Sequence, residues 1–121
     1  MIYRTTSALL FKFSLTFVLA LIVFTLYLEN PLVWVFVLGI AGTIINYLVG
    51  DLLVLPNFGN MVASLGDGAM AAITAYIIDI LTIEFVTNLP SLYAFAILIA
   101  LGEYFFHAYL VKTEEVAPNT Q

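Results

Sequence analysis

The sequence predicts an all-α membrane protein, an antiparallel up-down-up-down bundle of four transmembrane helices. Hydrophobic residues make up 64% of the 121-residue chain and charged residues only 9%, whereas about a quarter of a soluble domain is charged. A globule this apolar could not cover its surface with polar groups, so its solvent must be lipid. Short polar turns divide the chain into four long apolar segments, each a predicted span.

The first predicted span covers residues 8–28 and carries Lys12 as its only charge. At a helical rise of about 1.5 Å per residue this segment covers roughly 30 Å, the thickness of the hydrocarbon layer. A basic start followed by an apolar run is also typical of a cleaved signal peptide. No small-x-small cleavage site follows the run, so we favour the membrane span.

The second predicted span covers residues 31–53. Asn30 is expected to cap its N-terminus, and Pro31 suits the first helical position. Small and polar residues recur along this span at helical spacing, which predicts a face that packs closely on another helix. This stripe consists of Gly39, Gly42, Thr43, Asn46 and Gly50.

The third and fourth predicted spans cover residues 61–85 and 91–111. Proline, asparagine and glycine within residues 56–60 predict the turn that precedes the third span. The third span has its own packing stripe, formed by Ala63, Asp67, Ala71, Thr74 and Ile78. Residues 113–121 form a polar tail that we expect to be disordered.

The few basic residues predict the orientation of the chain. Arg4, Lys12 and Lys112 all lie at one side of the predicted membrane, because the first and last spans run in opposite directions. The positive-inside rule then places both termini in the cytoplasm.

Six polar side chains collect in the cytoplasmic half of the predicted spans: Asn46, Asp67 and Glu103 about 10–13 Å inside, and Lys12, Asp51 and His107 about 6 Å inside. Ionised carboxylates facing lipid would each cost at least about 2.5–3.5 kcal/mol, so these groups must face one another or water. A cluster with a single lysine cannot keep every carboxylate ionised. We therefore predict that its acids and His107 share protons near neutral pH.

Structural roles remain open for each member of this tier. Lys12 is expected to extend its ammonium to the interface rather than pair deeply. Asp51 lies either at the headgroup level or in the interior, and His107 is either interfacial or part of the site. Glu103 lies on one helix face with His107 and with Ala100, which extends the packing surface. Asp67 and Glu103 either bind protons or cations, or they form hydrogen bonds that hold the helices together.

No metal, cofactor or enzymatic activity is expected. The pair Glu103-x-x-x-His107 together with Asp67 would offer mixed oxygen and nitrogen ligands, but such spacing arises easily by chance. The chain has one histidine and no cysteine, which excludes disulfides and thiolate sites. Phosphate-binding loops and nucleophile motifs are absent from the sequence. A net charge of −5 argues against nucleic acid as a partner.

The central stretch Gly50-Asp-Leu-Leu-Val-Leu-Pro-Asn-Phe-Gly-Asn60, with Asp67 following it, resembles the YndM-like family. These are short four-span membrane proteins of Bacillus-type Firmicutes, classed as a domain of unknown function. The resemblance implies a multi-pass protein of a bacterial plasma membrane, and it implies no activity, substrate or site residue.

Two functional hypotheses remain open. We favour a structural or scaffolding membrane protein, whose polar tier fixes the register of the helices. Its partners would be the lipid bilayer and either a second copy of the chain or another membrane protein. The alternative is a small proton- or cation-coupled transporter or channel, acting as a homo-oligomer, in which Asp67 and Glu103 bind the ion.

Overall fold

The computed structural model describes the backbone of residues 2–113 and the side chains of residues 6–106 and of Ala108. Within this part of the chain all regular structure is helical. The elements are α1 (Ile2–Ala20), a first π-helical segment (Leu21–Tyr27), α2 (Leu32–Ile45), a second π-helical segment (Asn46–Val54), α3 (Leu55–Leu81) and α4 (Leu89–Thr113). The predicted tail beyond Thr113 lies outside the described residues, as do the side chains of Arg4 and Lys112.

Three helical stretches are long and apolar enough to cross a membrane: Thr6–Tyr27, Leu32–Leu81 and Leu89–Phe106. Their outward faces carry many exposed leucine, isoleucine and phenylalanine side chains. Large exposed apolar surface is rare in water-soluble monomers and normal in lipid. The fold is therefore all-α, with three to four apolar helices that could be membrane spans.

The 50-residue stretch Leu32–Leu81 is interrupted at Gly59, where φ is 88° and ψ is 173°. This backbone conformation strains any residue with a Cβ atom, which explains a glycine at this position. The segments before and after the break are in contact, since a Cβ atom at Gly50 would collide with the Asp67 carboxylate. The predicted turn at residues 56–60 thus contains the break, although its other residues keep helical geometry within α3.

The second π-helical segment directs polar residues into the interior. The N–H of Leu55 donates to the carbonyl of Gly50, five residues earlier, in place of the usual four. This wider winding places Asn46, Gly50 and Asp51 on the buried side of one segment. π-Helical insertions of this kind often occur at functional sites.

The predicted packing stripes lie at helix contacts. Gly39 and Gly42 face α1, where Cβ atoms would lie 3.0 Å from Phe13 and 3.5 Å from Thr16. Gly68 packs against the backbone carbonyl of Ala96 in α4. Every member of both stripes is buried: Gly39, Gly42, Thr43, Asn46, Gly50, Ala63, Asp67, Ala71, Thr74 and Ile78. Ala63 contacts Leu55 in a small cluster, and Ala71 belongs to the main core.

Asn30 joins the two turns that lie away from the break at Gly59. Its side-chain amide donates to the carbonyl of Val86 over 2.9 Å, and its side-chain oxygen accepts from the N–H of Val86 over 2.8 Å. The prediction that Asn30 caps α2 was wrong, because Pro31 occupies the cap position without a side-chain bond. The buried amide is used for a long-range contact instead, which satisfies two backbone groups of a non-helical segment.

The main apolar core fills the half of the molecule that includes these turns. It consists of Ala20, Val23, Phe24, Val35, Leu38, Ala71, Ala75, Ile78, Phe85, Phe95 and Ile99. The ring of Phe24 contacts those of Phe85 and Phe95 at centroid distances of 5.3 Å and 5.0 Å. Among the described residues, the buried charged side chains lie outside this apolar core.

Candidate functional site: a buried ion cluster

Lys12 is the centre of a buried ion cluster, which we define as Lys12, Asp51, Asp67 and Glu103. All four side chains have no exposed surface. The Lys12 ammonium donates to Glu103 Oε1, and its Nζ lies 3.4 Å from Asp51 Oδ2 and 3.8 Å from Asp67 Oδ2. Lys12 thus does not reach the interface, in contrast to the expectation that it would extend outward.

Four helical elements each contribute one member of the ion cluster. Lys12 comes from α1, Asp51 from the second π-helical segment, Asp67 from α3 and Glu103 from α4. The cluster therefore links elements that are distant in sequence. It also buries Asp51 within the protein.

Glycines at the helix contacts make room for this arrangement. The Asp67 carboxylate lies where a side chain at position 50 would have to be, so only glycine at Gly50 is compatible with it. At the next residue of α3, Gly68 lets the helix backbone approach Ala96, and a Cβ atom there would also lie 3.2 Å from Ala100. Small residues therefore place Asp67 between the second π-helical segment and α4.

The ion cluster has an excess of negative charge. Among the described residues, three carboxylates surround one ammonium, so full ionisation of these four groups would sum to a formal charge of −2. Uncompensated charge is very costly in a low-dielectric interior. Binding of protons or of a further cation would bring these four groups closer to neutrality.

A second group of polar side chains, the polar layer, lies next to the cluster towards the apolar core. It comprises Thr16, Thr43 and Asn46, and the side-chain polar atoms of all three are buried without a hydrogen-bond partner among the described residues. Thr16 follows Lys12 by one helical turn, and its methyl group lies near Gly42. Buried polar atoms usually bind water or another ligand when no protein group satisfies them. The polar layer is thus suited to bind polar species beside the cluster.

Phe106 separates the ion cluster from a groove between α1 and α4. The groove has a volume of about 560 Å³ and is lined by Ser7, Ala8, Phe11, Leu15, Gly102, Phe105 and Phe106. Phe106 is nearly buried and stacks on Phe11 at a centroid distance of 5.1 Å. The Lys12 ammonium lies 5.1 Å from the centre of the same ring, at cation–π distance.

Four of the six side chains predicted for the polar tier come together in the ion cluster, and Asn46 lies beside it. The side chain of His107 is outside the described residues, so its part in the tier stays a prediction. Sequence reasoning missed Phe106, although its position three residues after Glu103 indicates the same helix face. It also missed Thr16, which follows Lys12 at a spacing of four.

Comparison with known proteins adds the family but no activity. A family model described as a protein of unknown function, DUF2512, matches residues 4–120. This finding agrees with the expected class of small proteins without an established function. No curated protein and no solved structure matches the chain.

Proposed function

The chain belongs to the DUF2512 family of proteins of unknown function, and we propose a role for it from the ion cluster. It is a small membrane protein that takes up and releases protons or cations at buried carboxylates, as a transporter or channel does. The role is non-enzymatic. The observation that carries it is that three buried carboxylates face one ammonium among the described residues, a formal sum of −2 when all four groups are ionised. Ionisable groups inside a membrane commonly mark ion pathways and proton relays.

A purely structural role does not require three acids around one lysine. One buried ion pair between Lys12 and Glu103 would link α1 to α4 and leave no excess charge. Asp51 and Asp67 add two buried acids, and buried ion networks are often no more stable than apolar packing of similar volume. The extra acids are therefore explained best by reversible binding of positive charge.

The proposed membrane arrangement is an antiparallel up-down-up-down bundle of four spans. The stretch Leu32–Leu81 has 50 residues, which at helical rise is about 75 Å, more than twice the hydrocarbon thickness. The break at Gly59 and the contact of Gly50 with Asp67 support two crossings within it. We further propose a bacterial plasma membrane, cytoplasmic termini and a homo-oligomer, in line with the distribution of basic residues and the family resemblance.

Access to the cluster in this arrangement would come from the cytoplasmic half. The groove beside Phe106 lies at the same end as the cluster, and the apolar core fills the other end. Ion transfer across the whole membrane would then require a rearrangement of that core or a path between copies of the chain.

A second candidate function is the fixing of helix register, either within a scaffold for another membrane protein or within a homo-oligomer. The observation in its favour is that each of four helical units contributes one residue to the cluster. A polar group buried between helices can specify one alignment among several, as single polar residues do in coiled coils.

Proton flux into liposomes distinguishes the two candidates. We expect the reconstituted chain to acidify a vesicle lumen when a potassium gradient and valinomycin impose an interior-negative potential. Asp67→Asn and Glu103→Gln should each reduce the rate at least about 10-fold, because a proton site in the pathway is lost. The rate is read from a pH-sensitive dye inside the vesicles.

Asp79→Asn is the matched control, since the Asp79 carboxylate accepts hydrogen bonds from Thr87 outside the cluster. Its flux should equal that of the wild type. No flux in the wild type, or equal flux in all variants together with lower thermal stability of the cluster variants, would contradict transport and favour the register role.

A further inference from the structure

We propose that Asp51, Asp67, Glu103 and Asn46 together form a binding site for a divalent metal cation. The inference rests on the proposed function, because it names the species that competes with protons at the same cluster. One carboxylate oxygen from each of the three acids lies within 4.8 Å of the other two. Oxygen atoms at such separations can share one cation at bond lengths of about 2.0–2.6 Å.

Asn46 is the independent observation that points to a ligand. Its side chain has no exposed surface, and neither its oxygen nor its nitrogen has a hydrogen-bond partner in the described part of the chain. It lies on the buried side of the second π-helical segment together with Gly50 and Asp51. An amide oxygen is a common neutral ligand of hard cations, and burial without a partner is costly.

The charge of the cluster indicates the charge of the cation that would neutralise it. With Lys12 charged, the three ionised acids of the described cluster sum with it to −2, which one divalent cation neutralises. The carboxylates bind the metal in their ionised form, so protons that they hold are released when the cation binds. The donor set consists of oxygen atoms, which favours Mg²⁺, Mn²⁺ or Ca²⁺ over metals that prefer sulfur and nitrogen.

In this proposal the Lys12 ammonium competes with the metal for the same three carboxylates. Its ammonium lies among the three carboxylates and must move aside when the cation enters. The four-carbon stem of lysine is flexible, so a short displacement does not require the helix to move. The hydroxyl of Thr16, one turn along α1 and without a partner among the described residues, offers an acceptor for the displaced ammonium.

Binding of Mn²⁺ to the purified full-length chain in detergent tests the inference. Equilibrium dialysis or electron paramagnetic resonance should show one saturable site at about pH 8. Its affinity should fall as the pH is lowered, since protons compete with the cation for the carboxylates. Asp67→Asn and Asn46→Leu should each weaken binding by about 10-fold or more. Asn46→Asp should bind more tightly, because a carboxylate replaces a neutral ligand.

Asp79→Asn serves as the control that keeps the wild-type affinity, and circular dichroism verifies that each variant is folded. Absence of saturable binding, or the same affinity in Asp67→Asn, Asn46→Leu and the wild type, would overturn the metal site. If Asn46→Leu does not fold, weaker or unchanged binding by Asn46→Asp contradicts the proposal. Proton flux in metal-free buffer is measured separately, so failure of the metal site is distinguishable from failure of the proposed function.

Discussion

Replacing Lys12 with methionine is expected to lower the free energy of unfolding by about 3–5 kcal/mol at mildly alkaline pH, the effect of removing one partner from a buried ion pair. Methionine has nearly the same length and flexibility, so packing changes little. Three buried carboxylates then lose the one ammonium that the described residues place beside them. Unfolding by SDS in mixed micelles, followed by circular dichroism, measures the effect.

The loss of unfolding free energy caused by Lys12→Met should become smaller as the pH falls. Protonation of the acids removes the uncompensated charge, so the variant approaches the wild type in acid. Adding Glu103→Gln to Lys12→Met should recover part of the lost stability, with a coupling energy of about 0.5–3 kcal/mol in the double-mutant cycle. A loss below about 1 kcal/mol, or one that is independent of pH, would contradict a charged Lys12 within the cluster.

Gly68→Ala is expected to destabilise the protein by about 1–3 kcal/mol, the usual effect of inserting an extra carbon into a packed contact. The new Cβ atom would collide with the backbone carbonyl of Ala96 and lie 3.2 Å from Ala100. Backbone atoms cannot turn away as the end of a side chain can, so α3 and α4 must separate. The same SDS unfolding assay measures the change.

Gly66→Ala is the matched control in the same helix. A Cβ atom there meets nothing within 4 Å, and alanine is the better helix former by about 1 kcal/mol. We expect Gly66→Ala to be neutral or stabilising. Equal effects of the two substitutions would show that α3 and α4 do not pack through Gly68.

The helical composition and the polar tier could be predicted because they depend on local properties of the sequence. Apolar segments of about 20 residues indicate membrane helices, and the rise per residue converts position into depth. This depth placed Asp67 and Glu103 at a similar level, with Asp51 nearer the cytoplasmic end. The small residues of the stripes, including Gly50, indicated helix contacts because only small side chains allow backbones to approach closely.

Other features depend on which side chains meet in three dimensions, which the sequence alone does not determine. Lys12 has a long side chain that can reach either the interface or the interior, and the presence of three acids favours the interior. Asn30 was expected to cap its own helix, but the carbonyl and N–H of Val86 compete for the same amide. The π-helical winding around Asp51 has no reliable local signal, because it depends on the contacts that it allows.

Infrared titration of the carboxyl stretches tests the central claim most directly. With a chelator present, a buried cluster that shares protons should show protonated carboxyl bands at neutral pH, and Asp67→Asn or Glu103→Gln should remove part of the signal. These bands should disappear only as the pH rises further. If every carboxyl group is already ionised by about pH 5, the cluster holds no protons near neutrality and the account fails.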